Sequence, residues 1–123
     1  MAVVLANYNV KNSKIELTEN KEPKLVISFG LKLENGYDFK KLKSDSLKEF
    51  QTILNDSTQL SLDEMENRYG RDLDSDDILE YNGIKFQVLH FGKDRSTFRI
   101  HGILADSYFH VIRIDPKHKF HKK

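Results

Sequence analysis

The chain of 123 residues contains no cysteine, no tryptophan and only two prolines. It also lacks any apolar run near the roughly 20 residues that a bilayer-spanning helix needs. Without cysteine there is no disulfide framework and no thiolate chemistry. The start, "MAVVLANYNVKNSK", has neither a basic n-region nor a long apolar h-region, so no signal peptide is expected. A cytoplasmic protein with no membrane partner is the economical expectation. What is present has the composition of a folded protein: 38% hydrophobic and 32% charged residues, with eight Phe and five Tyr, interspersed throughout. Wholesale disorder is therefore not expected, and the length suits a single domain over 1–123.

The net charge of +1 conceals two unlike halves. Residues 84–123 hold nine Lys plus Arg against three Asp, a balance of +6, which leaves −5 on the first 83 residues. The segment 63–80 alone carries eight acids and two arginines. Such a division suggests a polyanion-binding surface or two surfaces for different partners, unless folding interleaves the halves and pairs the charges.

Short apolar, β-branched runs at "AVVLANYNV", "SKIEL" and "KLVISFGLKL" predict an N-terminal strand meander, with Asn35-Gly36 as a tight turn. Two helices should follow. Ser46 and Glu49 have capping-box spacing, with Leu47, Phe50, Ile53 and Leu54 on one face; Ser61 and Glu64 repeat the device, ending near Gly70. "IKFQVLHF", "TFRIHGIL" and "YFHVIRI" then read as a three-strand C-terminal meander. The expected fold is α+β, a mostly antiparallel sheet with two helices packed on one face.

Two metal-like patterns dissolve on inspection. Asp72, Asp74 and Asp76 have the odd spacing of a calcium loop, but Asp77 stands where the sharp turn wants Gly, and Gly83 where a bidentate Glu belongs. Capping of a helical turn at "DDILEY" and solubility account for these acids. His118 and His121 have zinc-ligand spacing, but they lie in a lysine-rich terminus with no well-placed third ligand. Neither metal nor cofactor is expected.

The stretch "FRIHGILADSYFHVIRIDPKHKF", residues 98–120, reads as a hairpin rich in His and Arg. With Ala105-Asp106-Ser107 as the connection, Leu104 stands opposite Tyr108 and Arg99 opposite Arg113. Phe98, Ile100, Leu104, Ile112 and Ile114 then form a core face, with His110 on the apolar side. Arg99, His101 and Arg113 share the other face. A two-residue turn pairing His101 with His110 would put Arg113 among the core residues, at a high desolvation cost. Facing arginines need a neutralising partner, either a carboxylate from the acidic half or a bound phosphate.

RNA cleavage beside a 2′-hydroxyl needs proton transfer and charge stabilisation, for which histidine and arginine suffice without metal. His101 and His118 are the candidate proton-transfer groups, with Arg99 and Arg113 holding phosphate. Lys93, Arg95, Lys117, Lys119, Lys122 and Lys123 would extend a nucleic-acid surface.

Arg99, His101, Gly102, Phe109, Asp115, Pro116 and His118 together resemble a C-terminal signature of small, uncharacterised proteins of bacteria and mobile elements. That resemblance covers the last quarter of the chain and implies no established activity. The helix pair followed by a basic three-strand sheet also looks like the RelE/ParE-type toxins, from which the apparent opening meander departs. Such toxins are small ribosome-dependent ribonucleases or gyrase poisons, and the expectation is a toxin-like ribonuclease whose partners are RNA or the ribosome and an antitoxin. The alternative reading is a non-catalytic protein-binding module, a phage-encoded inhibitor or immunity protein, that meets its target through the acidic segment 63–80.

Overall fold

The computed structural model describes residues 24–120. The strands expected over 2–10 and 13–17, together with His121, Lys122 and Lys123, lie outside the described residues. Strand β1 (Val26–Ser28) is followed by a 3₁₀ turn (Phe39–Lys41), helices α1 (Ser44–Ser57) and α2 (Leu62–Tyr69), then β2 (Ile78–Tyr81), β3 (Ile84–Gln87), β4 (Leu89–Phe91), β5 (Arg99–Ala105) and β6 (Tyr108–Asp115). The α+β expectation holds. A four-stranded sheet has the order β1-β6-β5-β4, antiparallel except for the parallel pair β1–β6, and β2–β3 form a separate antiparallel hairpin.

Local chemistry explains the helices. Ser61 Oγ accepts the Glu64 N–H while the Glu64 carboxylate accepts the Ser61 N–H, the predicted capping box at the start of α2. The corresponding box at Ser46 does not form. Helix α1 begins two residues earlier, at Ser44, and its N-cap Lys43 offers no side-chain cap. Helix α1 buries Phe50 and Ile53, while Leu47 stays half exposed. The two helix ends are tied together where Tyr69 Oη donates to Asp56, which also accepts from Arg68 at 3.2 Å.

Two departures shape the other face of the sheet. "DDILEY" forms strand β2 rather than a helical turn, because it pairs with "IKFQ" through the Asn82-Gly83 turn, whose residues both have left-handed φ. "IKFQVLHF" is therefore two strands that part at Val88, one in the hairpin and one in the main sheet. The helices cover one face of the sheet over Phe91, Ile100, Phe109, Val111 and Ile114. The hairpin covers the opposite face, where Leu79, Tyr81 and Phe86 pack on Val88, Ile103 and Ile112. Each fully buried aliphatic or aromatic side chain contributes about 1.5–3 kcal/mol relative to exposure, so both faces contribute to holding the sheet.

The β5–β6 hairpin has neither of the registers expected from the sequence. Its turn is the pair Asp106-Ser107, both at left-handed φ, and Ala105 stands opposite Tyr108. A β-bulge then changes the register: Gly102 pairs with Val111, but His101 pairs with Arg113 and Arg99 with Asp115. The extra residue, Ile112, lets β6 aim both Ile112 and Arg113 toward the hairpin side, a re-aiming that bulges commonly provide. Gly102 permits the close approach here, since a Cβ would lie 2.4 Å from the His110 carbonyl oxygen.

Candidate functional site: a buried His–His–Arg row beneath a polar cleft

The bulge sets three polar side chains in one row across adjacent strands. His90 on β4 pairs with His101 on β5, and His101 pairs with Arg113 on β6. All three are buried, with His101 at 0% and Arg113 at 5% exposure. The expected open face of Arg99, His101 and Arg113 is therefore corrected, and so is the facing of Arg99 by Arg113. The hairpin β2–β3 and its flanks roof this part of the sheet.

The neutralising partner of Arg113 is a carboxylate. Its NH2 and NH1 donate to Asp77 Oδ1 and Oδ2 at 2.7 and 2.8 Å, a bidentate pair, and its Nε donates to Glu34 Oε1 at 2.9 Å. Glu34 reaches this point because its loop runs along the edge of β6, with bonds from Glu34 N to Ile112 O and from Ile114 N to Tyr37 O. Asp77 Oδ2 also lies 2.7 Å from His90 Nε2. Because an ionised carboxylate only accepts, His90 carries its proton on Nε2. Arg113 NH1 sits 3.1 Å from His101 Nδ1, and a guanidinium only donates, so that nitrogen is the acceptor. The two imidazoles stack at 3.9 Å.

Burial alone would raise the Asp77 carboxyl, but the hydrogen bonds from Arg113 and His90 outweigh it and hold the group below its usual range. Burial likewise opposes the charge of Arg113, and Asp77 with Glu34 overcomes it, raising its pKa. One carboxylate and one guanidinium thus fix each other's ionisation. Asp77, His90 and His101 offer ligand atoms within 4.8 Å of one another, a spacing that could hold a metal ion. Arg113 NH1 already lies among them, so the cationic group at that point is the guanidinium.

The C-terminal turn closes the cluster. Asp115 accepts the N–H groups of Lys119 and Phe120, both at 2.9 Å, which folds the chain back after Pro116. Arg113 Cζ then lies 3.7 Å from the centroid of the Phe120 ring, which meets the His101 ring in a T-shaped arrangement at 5.5 Å. The spacing from Asp115 through Pro116 and His118 to Phe120 thus has a physical role as a cap on the buried row.

Arg99 does structural work. Its NH1 donates to the carbonyls of Ser96 and Phe98 at 2.6 and 2.9 Å and reaches that of Lys93 at 3.4 Å, stapling the loop between β4 and β5. Burial and the nearby Arg71 lower its pKa. His110 sits buried on β6, bonded through Nδ1 to Ser28 Oγ at 3.2 Å, as a core histidine.

Above the row lies a cleft of about 530 Å³ lined by Arg71, Asp72, Asp74, His90, Arg99 and His118. Of the residues expected from the sequence, His118 and Arg99 meet here, while His101 and Arg113 lie beneath. A second cleft, of about 490 Å³, joins Lys117 and Lys119 to Lys40, Lys41, Lys43 and Tyr37. Lys93 and Arg95 project from the β4–β5 loop and line neither cleft.

Sequence reasoning missed Glu34, Asp77, His90 and Phe120. Asp77 reads as one of several capping acids, and His90 carries no local signal at all. Only their long-range partners distinguish them. No helix among the described residues is long and apolar enough to cross a membrane. No family model, curated protein or solved structure matches the chain.

Proposed function

We propose that the protein binds RNA and cleaves it without a metal, in the manner of a RelE/ParE-like toxin, with the polar cleft as its active site. The observation that carries this reading is the company in that cleft: His90, held at Nε2 by the buried Asp77, lines the same wall system as His118, Arg71 and Arg99. Asp77 acts as a positioning residue, orienting the His90 ring through its bond to Nε2. One imidazole takes the proton of the attacking 2′-hydroxyl, and the other protonates the departing 5′-oxygen. The pentavalent phosphate between them gains charge that Arg71 and Arg99 stabilise. The products are a 2′,3′-cyclic phosphate and a free 5′-hydroxyl, and both protons are accounted for.

The test is an end-labelled single-stranded RNA resolved on a denaturing gel, with and without a chelator. Cleavage should survive the chelator and stop when 2′-deoxynucleotides replace the ribonucleotides. His118 stands on a partly exposed turn, so H118A should keep the fold and lose at least 100-fold in rate, in line with removal of an acid–base group. Intact RNA after incubation with the wild type, or an undiminished rate in H118A, overturns the reading.

A second reading, the non-catalytic binding module, is favoured by one observation. Within 63–80, Leu73 and Ile78 are 59% and 52% exposed close to the exposed acids Asp72 and Asp76. An apolar patch in an acidic setting suits a basic protein partner. Capture of a partner that survives H118A but not D72K/D76K would favour this reading over the first.

A further inference from the structure

The C-terminal turn is shared by both clefts. Lys117 and Lys119 line the lysine cleft, while His118 between them lines the polar cleft. His118 takes a left-handed φ of 54° within this turn. The lysine cleft is thus separated from the proposed chemistry by the thickness of one turn.

Five lysines converge on this cleft: Lys40, Lys41 and Lys43 from the 3₁₀ turn and the segment after it, and Lys117 and Lys119 from the C-terminal turn. All five are exposed, and among the described residues none is ion-paired. The lining holds one carboxylate, Asp115, which is buried and accepts two backbone N–H groups, so five lysines stand against a single acid. Tyr37 lines the same cleft, and Phe39, half exposed, neighbours Lys40 on the 3₁₀ turn with its ring against Phe29 and Phe50. Flexible point charges beside aromatic surfaces are the combination that holds a single strand, with phosphates on the lysines and bases on the rings.

We infer that the lysine cleft is a backbone-binding site for single-stranded RNA, which carries the strand across the C-terminal turn so that the adjoining phosphodiester enters the polar cleft. This inference rests on the proposal that RNA is the substrate, but it concerns binding rather than cleavage. It assigns Lys40, Lys41 and Lys43, far from the C-terminus in sequence, to the same surface as Lys117 and Lys119.

The experiment is fluorescence anisotropy with a labelled single-stranded DNA 12-mer, which lacks the 2′-hydroxyl and cannot be cut by the proposed route, over a range of salt. Wild type is compared with K40Q/K43Q/K117Q and with a control, K48Q/K85Q, that touches neither cleft. Each lysine–phosphate contact contributes about 0.7 to the slope of log K against log[salt] for single strands, so the triple variant should lower the slope by about 2. It should also weaken binding at least tenfold, with the control unchanged and unfolding temperatures alike. An unchanged slope in the triple variant, equal weakening in the control, absence of wild-type binding, or tighter binding to duplex than to single strand would each overturn the inference. The gel assay runs separately: a strand that binds while RNA stays intact upholds the lysine cleft and removes the proposed chemistry. RNA that is cut while K40Q/K43Q/K117Q binds normally does the reverse.

Discussion

Replacing Asp77 by Asn removes the one charge that bonds both ends of the buried row, His90 and Arg113, and little else. The side chain keeps its shape, and an amide oxygen can still accept from His90 Nε2. What goes is the bidentate carboxylate, with bonds of 2.7 and 2.8 Å, that offsets the Arg113 guanidinium. Glu34 remains on Nε, but its side chain is 41% exposed and it reaches only one edge of the fork. Breaking a buried pair by removing one partner costs about 3–5 kcal/mol, because the other charge stays buried without compensation. With Glu34 still in place we expect D77N near the lower end, about 3 kcal/mol. At about 4 °C per kcal/mol for a chain of this size, the unfolding temperature should fall by about 12 °C. R113M should be similarly harmful, because it leaves Asp77 buried against His90 alone. The double variant D77N/R113M removes both charges, so its loss should fall short of the summed single losses by at least about 2 kcal/mol. Urea unfolding followed by far-UV circular dichroism measures all four corners of the cycle. Single losses under about 1 kcal/mol, or an additive double variant, would show that the pair does not hold this face of the sheet.

The depressed carboxyl of Asp77 also fixes a pH signature. Its contribution to stability is present in full above the ordinary carboxylate range and is lost as pH falls below about 4 toward the folded-state pKa, so the gap between wild type and D77N should close on acidification; a gap that widens would contradict the assignment. Tyr69, raised to about 12 by burial and by its bond to Asp56, should appear in an absorbance titration as a tyrosine ionising near pH 12 that is missing in Y69F. The stability it contributes is present below about pH 10 and lost as pH rises through 12, so Y69F and wild type should converge in strong alkali. G102A would press a Cβ to 2.4 Å from the His110 carbonyl oxygen and 2.9 Å from the Phe109 ring. Overpacking of this kind costs about 1–3 kcal/mol, and the two-dimensional NMR signals of His101 and Arg113 should shift with the displaced bulge.

The elements around the row differ in how legible they are in the sequence. Strand alternation in "TFRIHGIL" and "YFHVIRI" marked β5 and β6, and the Ser61–Glu64 capping box marked α2, because periodicity and capping act over a few neighbouring residues. The same local signals misled at "DDILEY", where acids before an apolar run look like a helix start but hairpin pairing with "IKFQ" prevails. The hairpin register failed for a related reason. A buried Arg113 seemed too costly, and the carboxylate that makes it affordable lies 36 positions away.

By itself, then, the sequence determined the α+β class, the elements of the C-terminal sheet and the concentration of basic and imidazole groups near its end. These follow from side-chain periodicity and composition. Tertiary structure alone decided which of those groups are buried and which line a cleft. It placed Asp77 on Arg113, set Arg99 to hold a loop, brought His90 and His118 to one cleft and gathered lysines from two distant segments. The reason is physical: the desolvation that decides a charged group's fate depends on the partners folding brings to it, and those partners carry no mark in the neighbouring sequence.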